Sequence, residues 1–177
     1  IPAYLHDLAG ASSYNCGWGG ATATNNGQRS LLPVLDALVS GNAESLPADS
    51  QACLGLTELQ SAETKASLNH SQTLFVLHYG INDYYQGLPV ETADPLDEGS
   101  YGGAMRNGIE KLREAFPQAA ILVMIPNHVF AYQKGTEQTG DQGGLYEDYI
   151  NTLTKIAAKY DLPVLDDYHQ IIDSERN

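Results

Sequence analysis

The tetrapeptide Gly80-Ile81-Asn82-Asp83 follows directly on the apolar run Thr73 to Leu77 and a short His78-Tyr79 step. A side-chain amide at a strand tip can aim its NH2 into a cleft and stabilise a developing oxyanion. The carboxylate next to it, Asp83, can cap the following turn and hold the loop. Asn-Asp after a strand is also good turn chemistry, so the tetrapeptide alone leaves both readings open. A second stretch, Asn15-Cys16-Gly17-Trp18-Gly19-Gly20-Ala21-Thr22-Ala23, is a glycine-rich loop. Glycines let a backbone N–H come close to a ligand. No Gly-Lys-Ser/Thr follows, so it is not a phosphate loop, and its spacing is not that of a dinucleotide fingerprint. A tight loop without a ligand is the other reading. Trp18, Tyr79, Tyr84 and Tyr85 are candidates for an apolar or sugar-stacking wall beside these loops, with routine packing as the alternative. His78 and His128 stand at strand ends, where a structural role is the commoner one.

The elements that must position these residues follow from hydrophobic spacing. Short apolar runs alternate with amphipathic segments, the pattern of an α/β domain with a parallel sheet. Ile1 to Leu8 reads as the end of a helix closed near Gly10, and Ser12 to Cys16 as a short strand. Leu31, Leu32, Val34, Leu35, Leu38 and Val39 place a helix over Ser30 to Val39. Leu56 to Leu68 is a second helix. Thr73 to Leu77 is a buried strand. Ser100 caps a helix over about Gly103 to Phe116, ended by Pro117. Ala120 to Ile125 is the next buried strand, stopped by Pro126, and Asn127 to Gly144 is a long polar loop. Leu145 to Tyr160 is a helix, and Leu162 to Leu165 a third strand ending at Asp166. Three strands thus end in polar groups: His78 to Asp83, Asn127 with His128, and Asp166 to His169. In open α/β sheets the ligand site lies beyond the carboxyl ends of the strands, so the fold gathers these residues on one rim.

Composition bounds the rest. The chain has 177 residues, 42% hydrophobic and 18% charged, which suits one folded domain over residues 1–177. Its formal net charge is −13, and its nine Lys and Arg form no cluster. That excludes a nucleic-acid footprint and disfavours an anionic lipid surface. The acidity suits a neutral or cationic small molecule, or solubility alone. No apolar run approaches the roughly 20 residues that span a bilayer. Cys16 and Cys53 make neither a metal spacing nor a disulfide framework. No His, Cys, Asp or Glu cluster has metal-ligand spacing, and no cofactor is implied. The sequence opens on Ile1 without a Met or a signal-like segment, which reads as an internal piece or a processed product.

Taken together and in this order, the two loops resemble the SGNH (GDSL-like) hydrolases. That family has four blocks: Gly-Asp-Ser, a glycine loop, Gly-x-Asn-Asp, and Asp-x-x-His. Asn15 to Ala23 looks like the second block and Gly80 to Asp83 like the third. The run AMRNGIEKLREAFPQAAILVMIP is similar to the helix and strand after the third block. LYEDYINTLTKIAAKYDLPVLDDY is similar to the last large helix and the strand after it. The resemblance implies a three-layer α/β/α flavodoxin-like sandwich with a parallel sheet, incomplete at both ends. It implies a serine-dependent carboxylic ester hydrolase that needs no cofactor, with a small acyl ester, such as one on a carbohydrate, as substrate. The Gly20 backbone N–H and the Asn82 side chain would be two donors of an oxyanion hole.

The first and fourth blocks depart from the family. No Gly-Asp-Ser occurs, so no nucleophilic serine is found in this chain. Gly99-Ser100-Tyr101-Gly102-Gly103 is no substitute, because a nucleophile elbow needs a residue between Gly and Ser. Asp166-Asp167-Tyr168-His169 matches Asp-x-x-His literally. There His169 would be the general base and Asp166 would orient its imidazole. Gln170 follows where the family has Pro, and only eight residues remain, so a strand-end turn with a surface histidine is the competing reading. Three rivals stand beside the hydrolase: a non-catalytic binding module on the same fold, one chain of a split hydrolase, and an unrelated flavodoxin-like nucleotide or flavin binder. The missing phosphate loop argues against the last.

Overall fold

A computed structural model describes residues 10–126, 143–166 and 168. The expected N-terminal helix, Asn127, His128 and most of the polar loop after them, and His169 lie outside the described residues.

Chain order is α1 (Leu31–Ser40), a 3-10 turn (Ala43–Ser45), α2 (Gln51–Ala62), α3 (Lys65–Leu68), β1 (Leu74–Leu77), α4 (Ile81–Tyr85), α5 (Tyr101–Ala115), β2 (Ala120–Ile125), α6 (Tyr146–Lys159) and β3 (Val164–Asp166). The architecture is α/β, with one three-stranded parallel sheet in the order β1-β2-β3. Register pairs Leu77 with Val123, and Ile125 with Asp166. All carboxyl ends therefore point one way, and the segment after β1 shares an edge with Asp166.

Local sequence explains the helix boundaries. Ser50 Oγ accepts from Cys53 N–H, so α2 begins five residues earlier than the apolar spacing suggested. It stops at Ala62, and α3 is a separate turn capped by Thr64. Ser100 Oγ accepts from the Gly103 N–H and caps α5 as expected. In α1 the chain leaves the helix through Gly41 at φ 71°, the left-handed conformation glycine adopts freely.

Two expectations change. Ser12 to Cys16 is not a strand. Its backbone runs across α2 instead, so close to Gly55 that a Cβ there would stand 2.0 Å from the Asn15 carbonyl oxygen. The strands are also not buried on both sides. Leu77, Ile121, Val123 and Ile125 join the core with Ile109, Leu112, Leu153 and Ile156. The opposite face of β1 carries Leu74 and Val76, 53% and 48% exposed. A strand covered on both faces reads as continuously apolar, and so does a short strand with one apolar face open. β1 pairs only with β2, so its outer edge carries no ladder among the described residues.

Candidate functional site

The two loops singled out in the sequence meet in the fold. Four hydrogen bonds join them. Asn82 Nδ2 donates to the Ala21 carbonyl at 2.8 Å. The Ala23 N–H donates to one oxygen of Asp83 at 2.9 Å. The Thr24 N–H and Thr24 Oγ1 donate to the other oxygen at 2.9 and 2.6 Å. Asp83 thus does more than hold its own turn. It binds a loop about sixty residues away and is itself fully buried. Burial pushes its carboxyl above the ordinary 3.8, and the Thr24 and Ala23 hydrogen bonds pull the other way.

Backbone geometry delivers Asn82. β1 ends at Leu77, and Gly80 turns the chain at φ 125°, a conformation L side chains rarely adopt, to open α4. Tyr101 packs under that turn. Its hydroxyl donates to the Tyr79 carbonyl at 3.3 Å, and a Cβ on Gly80 would stand 3.0 Å from the same oxygen. Tyr101 is fully buried, and its hydroxyl is held well above the ordinary tyrosine range, first by burial and then by Asp83. It is a neutral donor.

On the other loop, Gly20 stands at φ 81° and is exposed. The Ala21 N–H closes a turn onto the Trp18 carbonyl at 2.9 Å, whereas the Gly20 N–H has no partner among the described residues. Because Asn82 holds the Ala21 carbonyl, the Gly20–Ala21 segment and the Asn82 amide are neighbours. An amide NH2 has two hydrogens, and Asn82 has one left beyond the bond to Ala21. The isolated parallel bridge between Thr22 and Ser30 stiffens the loop's exit.

Asp166 ends β3 at the same edge of the sheet. A chain of rings links that end to α4: Tyr84 to Tyr146 with centroids 5.1 Å apart, and Tyr146 to Tyr168 at 5.8 Å. Its expected partner His169 lies outside the described residues. The stacking wall needs correction. Tyr84 is fully buried among Tyr85, Tyr146 and Tyr149, so it offers no face to a ligand and is core. Trp18 is partly buried and keeps an accessible side, with the Arg29 guanidinium carbon 5.0 Å from its ring centroid. Ser100 is fully buried in its cap, which removes it as a nucleophile. Cys16 and Cys53 are both free thiols, and burial followed by Glu58 raises Cys16 to about 11, so it is no thiolate at neutral pH. No cluster of three metal-ligating side chains occurs among the described residues.

Sequence reasoning missed Thr24, Tyr101 and Arg29. Thr24 and Tyr101 act by contacts across the fold that no local pattern encodes. Arg29 carried a signal, as a lone cation close behind the glycine loop in an acidic chain.

No protein-family model matches the sequence, and no curated protein matches it. Solved structures do. One, 20% identical, has a TM-score of 0.50 over 65% of this chain and 52% of its own. A possible lipase from Chitinophaga pinensis is 24% identical, with a TM-score of 0.45 over 54% of this chain and 42% of that one. A protein from Lactobacillus plantarum is 22% identical, with a TM-score of 0.48 over 56% and 49%. The chain spans about half the length of these solved structures. At 20% identity the first of these shows a likeness of fold alone. No helix of the described residues is long and apolar enough to cross a membrane.

Proposed function

We propose that this chain is part of an SGNH-type serine ester hydrolase on a three-layer flavodoxin-like sandwich. The hydrolysed bond is a carboxylic ester with a small acyl group, as on a carbohydrate. The observation that carries the reading is the set of four hydrogen bonds that joins the glycine loop to Gly80–Asp83. They support a pair of donors, the Gly20 N–H and the second Asn82 hydrogen, beside each other at the carboxyl edge of the sheet.

In the reaction, a serine supplied from outside this sequence attacks the acyl carbon. His169 takes its proton while Asp166 orients the imidazole. The Gly20 N–H and Asn82 hold the tetrahedral oxyanion, the alcohol leaves with the proton, and water then releases the acid. Trp18 lines the approach.

The test is ester turnover by the natural protein, with labelling by a fluorophosphonate and mapping of the labelled peptide. One label on a peptide outside this sequence is expected. Asn82→Ala should lower kcat on the order of 10²–10³ while the fold is kept. No label and no turnover would overturn the hydrolase. The missing Gly-Asp-Ser favours one alternative, a binding module on the same fold, in which ligand binding would survive without turnover.

A further inference from the structure

Arg29 stands out by what it does not touch. The chain has 22 acidic residues against nine Lys and Arg. Arg106 pairs with Glu91 and Lys111 with Asp36. The Arg29 guanidinium makes neither an ion pair nor a hydrogen bond among the described residues, although acids outnumber cations more than twofold.

It is nonetheless held in place. Its backbone carbonyl accepts from the Thr22 N–H at 3.3 Å, next to the Thr22–Ser30 bridge. Its side chain lies over Trp18, with the guanidinium carbon 5.0 Å from the ring centroid. A guanidinium held over a ring in this way keeps N–H groups that no hydrogen bond among the described residues uses. The fork also lies against Gly20, where a Cβ would stand 3.3 Å from Nη1. A guanidinium that lies over Trp18 and has no ion pair or hydrogen bond among the described residues therefore borders the exposed Gly20.

We infer that Arg29 is a specificity residue for a ligand with a free carboxylate a few bonds from the group held at Gly20 and Asn82. The inference rests on the proposed function in taking Gly20 and Asn82 as the ligand-facing donors. The substrate class is then a half-ester of a short dicarboxylic acid. The acyl carbonyl sits at Gly20 and Asn82, and the far carboxylate meets the Arg29 fork in the two-bond geometry a guanidinium offers. The net charge of −13 opposes anions at long range, but salt screens it beyond about 8–10 Å, so the local cation decides.

Trp18 is the one tryptophan of the chain, so its fluorescence reads this spot. The experiment titrates the natural protein with succinate, which mimics the acid product, and with uncharged succinamide. Wild type should show a saturable change with succinate and none with succinamide. Arg29→Gln should weaken succinate by on the order of tenfold to a hundredfold, the value of hydrogen bonds to a charged group. Arg29→Lys should recover part of the loss, because it restores the charge without the fork. Lys111→Gln removes a cation elsewhere and should leave the midpoint unchanged. Loss of the stacked partner alters the baseline emission of Trp18, so the midpoint is the readout, with calorimetry as a second measure. Equal midpoints for wild type and Arg29→Gln, an equal response to succinamide, or no wild-type response would each overturn the inference. If instead Arg29 governs succinate binding while Asn82→Ala leaves ester turnover intact, the carboxylate site stands and the hydrolase assignment of Asn82 falls.

Discussion

Replacing Asp83 by Ala should loosen the glycine loop and cost a large part of the stability. Both carboxylate oxygens are used: one accepts from Ala23 N–H and the other from Thr24 N–H and Oγ1. Ala23, Thr24 and Asp83 are all buried, so water cannot readily replace the acceptor. A buried donor left unsatisfied costs about 1–3 kcal/mol. The two backbone donors cannot turn away, whereas the Thr24 hydroxyl can. Against that loss stands relief from burying the carboxylate, whose raised pKa shows that burial is the larger influence on it. The net expectation is about 2–4 kcal/mol, to be set beside the 5–15 kcal/mol typical of a whole domain. Urea denaturation followed by circular dichroism measures it. Thr24→Val, which removes only the hydroxyl bond, should cost about 1.5–3 kcal/mol, the range for a bond to a charged group. Asp83→Asn should fall between, because its NH2 must face the Ala23 or Thr24 N–H. A loss under about 1 kcal/mol for Asp83→Ala would refute the idea that this carboxylate joins the two loops.

The same carboxyl gives a pH prediction. Its folded pKa lies above the unfolded one, so its contribution to stability is full below the ordinary 3.8 and is lost as pH rises through the raised folded value. Carbon-13 titration of Asp83 should show a midpoint above 3.8, and one below it would contradict the dominance of burial. Gly80→Ala should destabilise by about 1–3 kcal/mol, since φ 125° is strained for alanine and its Cβ meets the Tyr101 hydroxyl at 3.0 Å. A thermal melt reads this, and unchanged stability would mean the turn relaxes. Ser100→Ala removes the α5 cap and should cost about 0.5–2 kcal/mol while leaving ester turnover per folded molecule unchanged. A loss of turnover would reopen Ser100 as a reacting group.

Much of the fold was legible because periodicity is a local signal. β2 occupies Ala120–Ile125 as its apolar run and Pro126 demand, and α1 and α6 fall within a residue of their apolar stripes. What failed depends on surroundings. Ser12 to Cys16 has strand-like residues, yet its backbone faces the smooth side of Gly55 on α2 rather than another strand. Leu74 and Val76 look buried in sequence because an apolar run does not say which face will be covered. Tyr84 read as a wall residue because it follows Asn82, but a helical turn at Ile81–Tyr85 aims it into the tyrosine cluster instead. The two candidate loops were legible as motifs. Their union was not, because it depends on a carboxylate choosing partners about sixty residues away.

That arrangement lets binding and stability be separated at one site. Asp83, Thr24 and Tyr101 are buried and act by holding backbone, so their loss should show first in unfolding and only through it in ligand binding. The Gly20 N–H and Arg29 are exposed, and neither the N–H nor the guanidinium has a hydrogen-bond partner among the described residues, so the fold gains little from either polar group. A donor that contributes little to folding yet is held within reach of a stacked cation is preorganised: its ordering cost is met before any ligand arrives. Asn82 serves both purposes. One of its hydrogens goes to the Ala21 carbonyl and fixes the amide plane, which leaves the other with a set direction. Asn82→Asp is therefore the informative change. It keeps the size but replaces the NH2 by an acceptor facing the Ala21 carbonyl and by a negative charge facing any oxyanion. It should destabilise the loop junction modestly and abolish binding of carboxylates at Gly20.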